Sequence, residues 1–133
     1  MQTKLNLLKE AYDNAYAPYS HFQVGALLVM RDGTFVKGAN IENASYGLCN
    51  CAERSALFAA YTNGYRKEDI LELMILTKSD IPSSPCGACR QVITELMEPD
   101  AKVTLYNLDG KVINLKVSDL LPYAFTKDNL ENE

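Results

Sequence analysis

Two Asp-Gly pairs, Asp32-Gly33 and Asp109-Gly110, each stand between two short apolar runs, and this pattern constrains the fold more than any other feature of the chain. An Asp-Gly pair in that setting is a strong hairpin signal. HFQVGALLVM and FVKGAN therefore form one hairpin, and KVTLYNL and VINLKV another. Between the hairpins the segment from Cys51 to about Thr62 is free of helix breakers until Asn63-Gly64, which supply a C-cap. ILELMILT then reads as a strand, KSDIPSSP as a loop, and CGACRQVITELM as a helix with Ala88, Val92, Ile93 and Leu96 on its apolar face, closed by Pro99. Ahead of the first hairpin, Leu5, Leu8, Tyr12 and Ala15 recur at helical spacing, and Pro18 is expected to end that helix. A short helical turn near Ser118 to Leu121 and a polar tail complete the chain. Strand, helix, strand, helix, strand implies parallel neighbours joined by right-handed crossovers. The expectation is an α/β fold, a three-layer α/β/α sandwich around a mixed five-stranded sheet, as a single domain over residues 1–133.

A chain of 133 residues with 47% hydrophobic content can bury a core without disulfide staples. Its longest apolar run, Val24 to Met30, is far short of the ~20 residues that cross a bilayer, and MQTKLNLLKE carries charge where a signal peptide is apolar. A cytoplasmic protein with no membrane contact is expected. The formal net charge of −4, with no Lys/Arg cluster, argues against a nucleic-acid partner, since that binding rests on basic side chains displacing counterions. A small-molecule partner is expected instead.

The four cysteines sit as Cys49-x-Cys51 and Cys86-x-x-Cys89. In a reducing compartment such spacing points to metal more than to disulfides. Both pairs fall at helix beginnings: Asn50 suits the N-cap of one helix, and Ser84 followed by Pro85 suits the start of the other. Helix N-termini carry partial positive charge, which favours thiolates. Cys86 and Cys89 are three apart on one turn and can share a zinc ion, with Cys51 as a third ligand. Three thiolates on Zn²⁺ leave a charge of −1, for which Arg54 and Arg90 are available as compensation. Three protein ligands leave a fourth position for water, the mark of a catalytic site. Glu53, two residues from Cys51, is placed as a general acid/base for that water.

Structural roles compete for the same residues. All four cysteines can form a closed Cys₄ site with no chemistry. Glu53 stands three residues after Asn50, where a capping-box glutamate would, and Arg54 can be a solvated helix charge. The lone His21 reads as a surface or strand-end residue, and Cys49 as a small buried side chain or a loop thiol.

Cys51-Ala52-Glu53 with Pro85-Cys86-Gly87-Ala88-Cys89 resembles the signature of zinc nucleoside and nucleobase deaminases in its three-cysteine form. Ala17-Pro18-Tyr19-Ser20, Phe22-Gln23-Val24-Gly25-Ala26, Asn40-Ile41-Glu42-Asn43, Arg90-Gln91 and Leu120-Leu121-Pro122-x-x-Phe125 extend the likeness to the small homotetrameric cytidine deaminases, over residues from about 15 to 125. The resemblance implies one zinc per chain on Cys51, Cys86 and Cys89, with Glu53 as proton shuttle and Arg54 neutralising thiolate charge. It implies that Asn40 and Glu42 bind the ribose 3′-hydroxyl, that Phe22 packs on the base, and that the backbone at Ala52 reads the pyrimidine edge with Glu53. It also implies a homotetramer with shared active sites, in which Tyr46 and Phe125 reach a neighbouring subunit's pocket. Independently, Asn40 and Glu42 are two apart in an extended segment and point the same way.

The activity so implied is hydrolytic deamination of cytidine and 2′-deoxycytidine in pyrimidine salvage, with release of ammonia. A deaminase of another cytosine nucleoside, such as a nucleoside antibiotic, would share the zinc signature. A polynucleotide-editing deaminase would need a basic groove. A noncatalytic Cys₄ zinc-stabilised binding module is the rival of a different class.

Overall fold

The computed structural model of the chain describes residues 2–45, 48–79 and 87–120. Helix α1 (Gln2–Asp13) precedes the hairpin of β1 (Gly25–Met30) and β2 (Phe35–Ala39). Helix α2 (Ala52–Thr62), strand β3 (Ile70–Thr77), helix α3 (Gly87–Leu96) and the hairpin of β4 (Lys102–Asn107) and β5 (Val112–Lys116) follow. Short 3-10 turns at Lys67–Asp69 and Val117–Asp119 flank β3 and follow β5. Both hairpins form at the Asp-Gly pairs: Gly33 and Gly110 take φ of 90° and 89°, and the Asp32 side chain accepts the Thr34 N–H at 2.9 Å. No helix among the described residues is long and apolar enough to cross a membrane.

The sheet order is β2-β1-β3-β4-β5. Among the described strands only β3 and β4 pair in parallel, joined through α3; β1 is antiparallel to both of its neighbours. The expectation of parallel neighbours therefore holds for one pair. The reason is that β1 lies between the strands on either side of α2: β2 and β3 share a direction, but β1 separates them.

All six residues of β1 are buried, because both faces of the sheet are covered. Leu27 and Val29 of β1 meet Met74 and Leu76 of β3 under Leu8 and Tyr12 of α1. On the opposite face Ala26, Leu28, Leu73, Ile75, Val103 and Leu105 pack beneath Ala56 and Leu57 of α2 and Ile93 and Met97 around the end of α3. One helix on one face and two on the other make the α/β/α sandwich. Close approach is built into the sequence at Gly38: a Cβ there would lie 2.6 Å from the Ala56 nitrogen and nearer still to the Ala52 carbonyl oxygen. The first turn of α2 is thereby seated directly on β2.

Three boundaries differ from the sequence reading. Helix α1 stops at Asp13, well before Pro18, because the Tyr16 N–H bonds to the Asn40 carbonyl (2.9 Å) and its carbonyl accepts the Glu42 N–H (2.9 Å). The first strand begins at Gly25 and excludes the residues from His21 to Val24. Helix α2 is N-capped by Cys51, not Asn50. Asn50 stays extended because its N–H and carbonyl both pair with Ile41, each at 2.9 Å.

Candidate metal centre and substrate cleft

The shift of one residue at the start of α2 changes what Glu53 can do. With Cys51 as cap, Glu53 occupies the second helical position, so the capping-box role does not apply. The first N–H groups of an α-helix have no intrahelical acceptor, and Cys51 makes no side-chain cap hydrogen bond. Its sulfur instead accepts a hydrogen bond from Arg54 Nη2 at 3.2 Å. Cys89, on the first turn of α3, is fully buried and also hydrogen-bonds the Arg54 guanidinium. One guanidinium therefore gathers two sulfurs delivered by two different helix N-termini.

Glu53 is 5% exposed and joins the same group. Burial pushes its carboxyl above the ordinary glutamate range, and the charge of Cys51 acts in the same direction; its own N–H, the Cys89 thiol and Arg54 oppose the shift without cancelling it. The hydrogen bond from Arg54 to Cys51 in turn raises the guanidinium's pKa, so Arg54 keeps its charge. The surroundings thus place a guanidinium beside the two sulfurs and raise the pKa of the neighbouring carboxyl.

These residues fit a zinc centre by the chemistry of the donor set: soft sulfur ligands, a compensating cation and positive helix ends. Among the described residues no set of three or more His, Cys, Asp and Glu side chains is grouped as a metal requires. The third expected ligand, Cys86, lies outside the described residues, as do Ser84 and Pro85. Cys49, Cys51 and Cys89 form no disulfide. Cys49 is a loop thiol: its sulfur accepts the Asn43 N–H at 3.2 Å and donates to the Asn43 carbonyl at 3.4 Å. Arg90 donates to the Leu120 carbonyl at 3.0 Å, tying α3 to the turn after β5.

Beside Cys51 opens a cleft of about 210 Å³ lined by Tyr19, Ser20, Asn40, Glu42, Cys49, Asn50 and Cys51. Asn40 and Glu42 both reach the loop from Tyr19 to Val24. Asn40 Oδ1 accepts the Val24 N–H (2.8 Å) and its Nδ2 donates to the Phe22 carbonyl (2.9 Å). Glu42 Oε1 accepts the N–H groups of Tyr19 (3.0 Å) and Ser20 (3.1 Å), and Oε2 accepts the Ser20 hydroxyl. The Ser20 hydroxyl holds the Glu42 carboxyl below the usual glutamate range, and the Ser20 N–H adds to the effect. Phe22 is 41% exposed on this loop. Ala52 is fully buried in the first turn of α2. Tyr46 and Phe125 lie outside the described residues.

Sequence reading missed Ser20, Tyr19 and Asn50 as cleft residues. Asn50 Nδ2 donates to Ser55 Oγ (3.1 Å), which donates to the Ala39 carbonyl (3.1 Å), pinning the start of α2 to the end of β2. No local signal marks Tyr19 and Ser20, because their partner Glu42 is more than twenty residues away. Gly38 did carry a signal: a lone glycine inside a strand often marks close backbone approach.

Two sulfurs on the starts of two helices, a buried carboxyl on the first turn of one of them and a cleft beside Cys51 are the features of a deaminase-type site. The chain belongs to the cytidine and deoxycytidylate deaminase family, whose zinc-binding-region model matches residues 1–105. It is 53% identical over 129 residues to the cytidine deaminase of Halalkalibacterium halodurans, across 95% of this chain and 96% of that one. It is 47% identical over 122 residues to the cytidine deaminase of Sporosarcina psychrophila, across 92% and 88% of the two chains. The crystal structure of cytidine deaminase from Burkholderia pseudomallei matches with a TM-score of 0.90 at 49% identity, covering 93% of this chain and 98% of that one.

Proposed function

We propose that the chain, as one domain over residues 1–133, catalyses hydrolytic deamination of cytidine and 2′-deoxycytidine to the uridine nucleosides, releasing ammonia in pyrimidine salvage. The observation that carries this reading is Glu53, buried on the first turn of α2, where Cys51, Cys89 and Arg54 all act on its carboxyl. A buried carboxyl at this place can take and return protons, as the reaction requires. Cys51, Cys86 and Cys89 would hold one zinc per chain. When bound, the metal supplies the Lewis acidity that makes water a nucleophile at neutral pH.

The chain's own residues do the rest. Glu53 accepts a proton from the attacking water and passes it to ring N3, which makes C4 electrophilic. After attack at C4, Glu53 carries the proton of the new hydroxyl to the amine; the C4–N bond breaks, ammonia leaves, and the C4 carbonyl forms. Arg54 offsets thiolate charge that would otherwise oppose deprotonation of the water. The backbone at Ala52, with Glu53, reads the pyrimidine edge. Phe22 packs on the base, and Asn40 and Glu42 take the ribose 3′-hydroxyl.

A homotetramer with shared active sites is part of this reading. The cleft is smaller than the roughly 300–1,000 Å³ usual for small-molecule sites. Tyr16, Tyr19, Ile41 and Leu48, on segments that frame it, are 46–72% exposed. Such surfaces suit burial against another copy, with Tyr46 and Phe125 completing a neighbour's pocket. The acidic balance of the chain and its lack of a Lys/Arg cluster favour a free nucleoside in the cytoplasm over a nucleic-acid strand or a membrane.

Incubating the purified, zinc-loaded protein with cytidine should give the ultraviolet absorbance change of conversion to uridine, with one equivalent of ammonia. No change with cytidine or 2′-deoxycytidine overturns the assignment, and turnover confined to another cytosine nucleoside reassigns the substrate. Cys49→Ser should retain one zinc per chain after dialysis, because the Cys49 sulfur is engaged by Asn43. Loss of the metal in that variant would establish the closed Cys₄ site instead.

A further inference from the structure

The loop from Tyr19 to Val24 is fastened to the segment from Asn40 to Glu42 by hydrogen bonds from Asn40 and Glu42, and Ser20 is the residue that links the two halves of the set. Its hydroxyl donates to Glu42 Oε2 and accepts the Phe22 N–H at 3.0 Å. The Phe22 carbonyl is taken by Asn40 Nδ2 at 2.9 Å. Both backbone groups of Phe22 are therefore held, one by Asn40 directly and the other by Glu42 through Ser20. Between them His21 adopts a φ of 59°, a left-handed conformation unfavourable for a residue with a Cβ. The turn persists because these hydrogen bonds specify it.

A count of hydrogen-bonding capacity shows what remains for a ligand. A carboxylate offers about four acceptor sites, and a primary amide two donors and two acceptor lone pairs. Glu42 spends three acceptor sites on Tyr19 and Ser20. Asn40 spends one donor on Phe22 and one lone pair on Val24. One acceptor site on Glu42 is left, and one N–H and one lone pair on Asn40; the Glu42 site and the Asn40 N–H together match a single hydroxyl that donates to the first and accepts from the second. Both residues line the cleft, as does Ser20.

We infer that Ser20 is a positioning residue for nucleoside recognition: its hydroxyl orients the Glu42 carboxylate toward one sugar hydroxyl and couples it to the backbone of Phe22. This rests on the reading above that Asn40 and Glu42 bind the 3′-hydroxyl. Without the Ser20 hydroxyl, Glu42 regains rotational freedom and the Phe22 N–H loses its acceptor, so sugar and base recognition weaken together. Threonine keeps the hydroxyl; alanine does not.

The test compares kcat and KM for 2′-deoxycytidine and 2′,3′-dideoxycytidine, which differ only in the 3′-hydroxyl, in the zinc-loaded wild type, Ser20→Ala, Ser20→Thr and Glu42→Gln. Ser20→Ala should raise KM for 2′-deoxycytidine about tenfold, the scale of a lost hydrogen bond to a charged group, with kcat within about threefold. The preference for 2′-deoxycytidine over the dideoxynucleoside should fall in Ser20→Ala and in Glu42→Gln, and Ser20→Thr should restore it. A preference lost in Glu42→Gln but kept in Ser20→Ala overturns the role of Ser20 alone. A preference unchanged in both overturns the sugar-binding reading with it. A fall in kcat or Tm without a change in preference, or no recovery in Ser20→Thr, assigns Ser20 to the scaffold and overturns the proposal.

Discussion

Glu53→Gln should lower kcat for cytidine by about 10³–10⁴-fold while leaving zinc content and Tm at wild-type values. Positioned proton transfer contributes typically ~10²–10⁴ in rate. The upper part of that range is expected because one carboxyl serves both proton transfers, to N3 and to the amine. Glutamine keeps the volume and the hydrogen-bonding shape of the side chain, so the buried pocket on α2 stays filled. It removes the ionisable proton and nothing else of comparable weight. Burial already disfavours the charged form of Glu53, so a neutral amide carries no added desolvation cost and the fold should not weaken. Turnover within tenfold of wild type would remove Glu53 from the mechanism. Loss of zinc in the variant would instead make the carboxyl part of the metal's support.

The second large effect is expected far from any reacting atom. Gly38→Ala would set a Cβ against the Ala52 carbonyl oxygen, the Ala56 nitrogen at 2.6 Å and the Ala56 Cβ at 2.8 Å. Two of these three are backbone atoms within the first turns of α2, so no rotamer change relieves the contact. Overpacking typically costs ~1–3 kcal/mol, and a clash with helix backbone belongs at or beyond the top of that range. Against a total stability of about 5–15 kcal/mol for a native protein, the midpoint of urea unfolding should fall clearly. The activity should fall as well, because the displaced turn carries Cys51 and Glu53, and a shift of ~1 Å can cost about 10²-fold. Ala56→Gly in the same chain should recover little, since it removes only the side-chain contact. At Gly64 nothing lies within 4 Å of an added Cβ; Gly64→Ala should therefore meet only the cost of its φ of 94°. A wild-type unfolding midpoint in Gly38→Ala would show that α2 is not seated on β2 as described.

Much of the architecture is legible along the chain because its causes are local. Asp32-Gly33 and Asp109-Gly110 mark both hairpins, since each glycine supplies the positive φ that its turn needs. Strand β3 matches its apolar run from Ile70 to Thr77, and Asn63-Gly64 ends α2 where its C-cap forms. The sulfur, carboxyl and guanidinium groups of Cys51, Glu53, Arg54 and Cys89 stand out for the same reason. Spacing along a helix start is a sequence property, and metal and proton chemistry restrict which residue types can serve.

Pairing between distant segments decided the remainder. Helix α1 ends at Asp13 because Tyr16 finds backbone partners at Asn40 and Glu42, more than twenty residues away. The same kind of pairing, Asn50 with Ile41, moves the cap of α2 to Cys51 and takes Glu53 out of the capping-box position. The antiparallel placement of β1 beside β3 follows from how the first hairpin docks, and no local pattern encodes it. Turns, helix faces and the identity of the reactive groups are set along the chain, because they follow from φ preferences, periodicity and side-chain chemistry. Folding across the sheet brought Cys89 to the Arg54 guanidinium already beside Cys51, and Glu42 to Ser20, because hydrogen bonds across long sequence separations depend on where the folded sheet sets each loop.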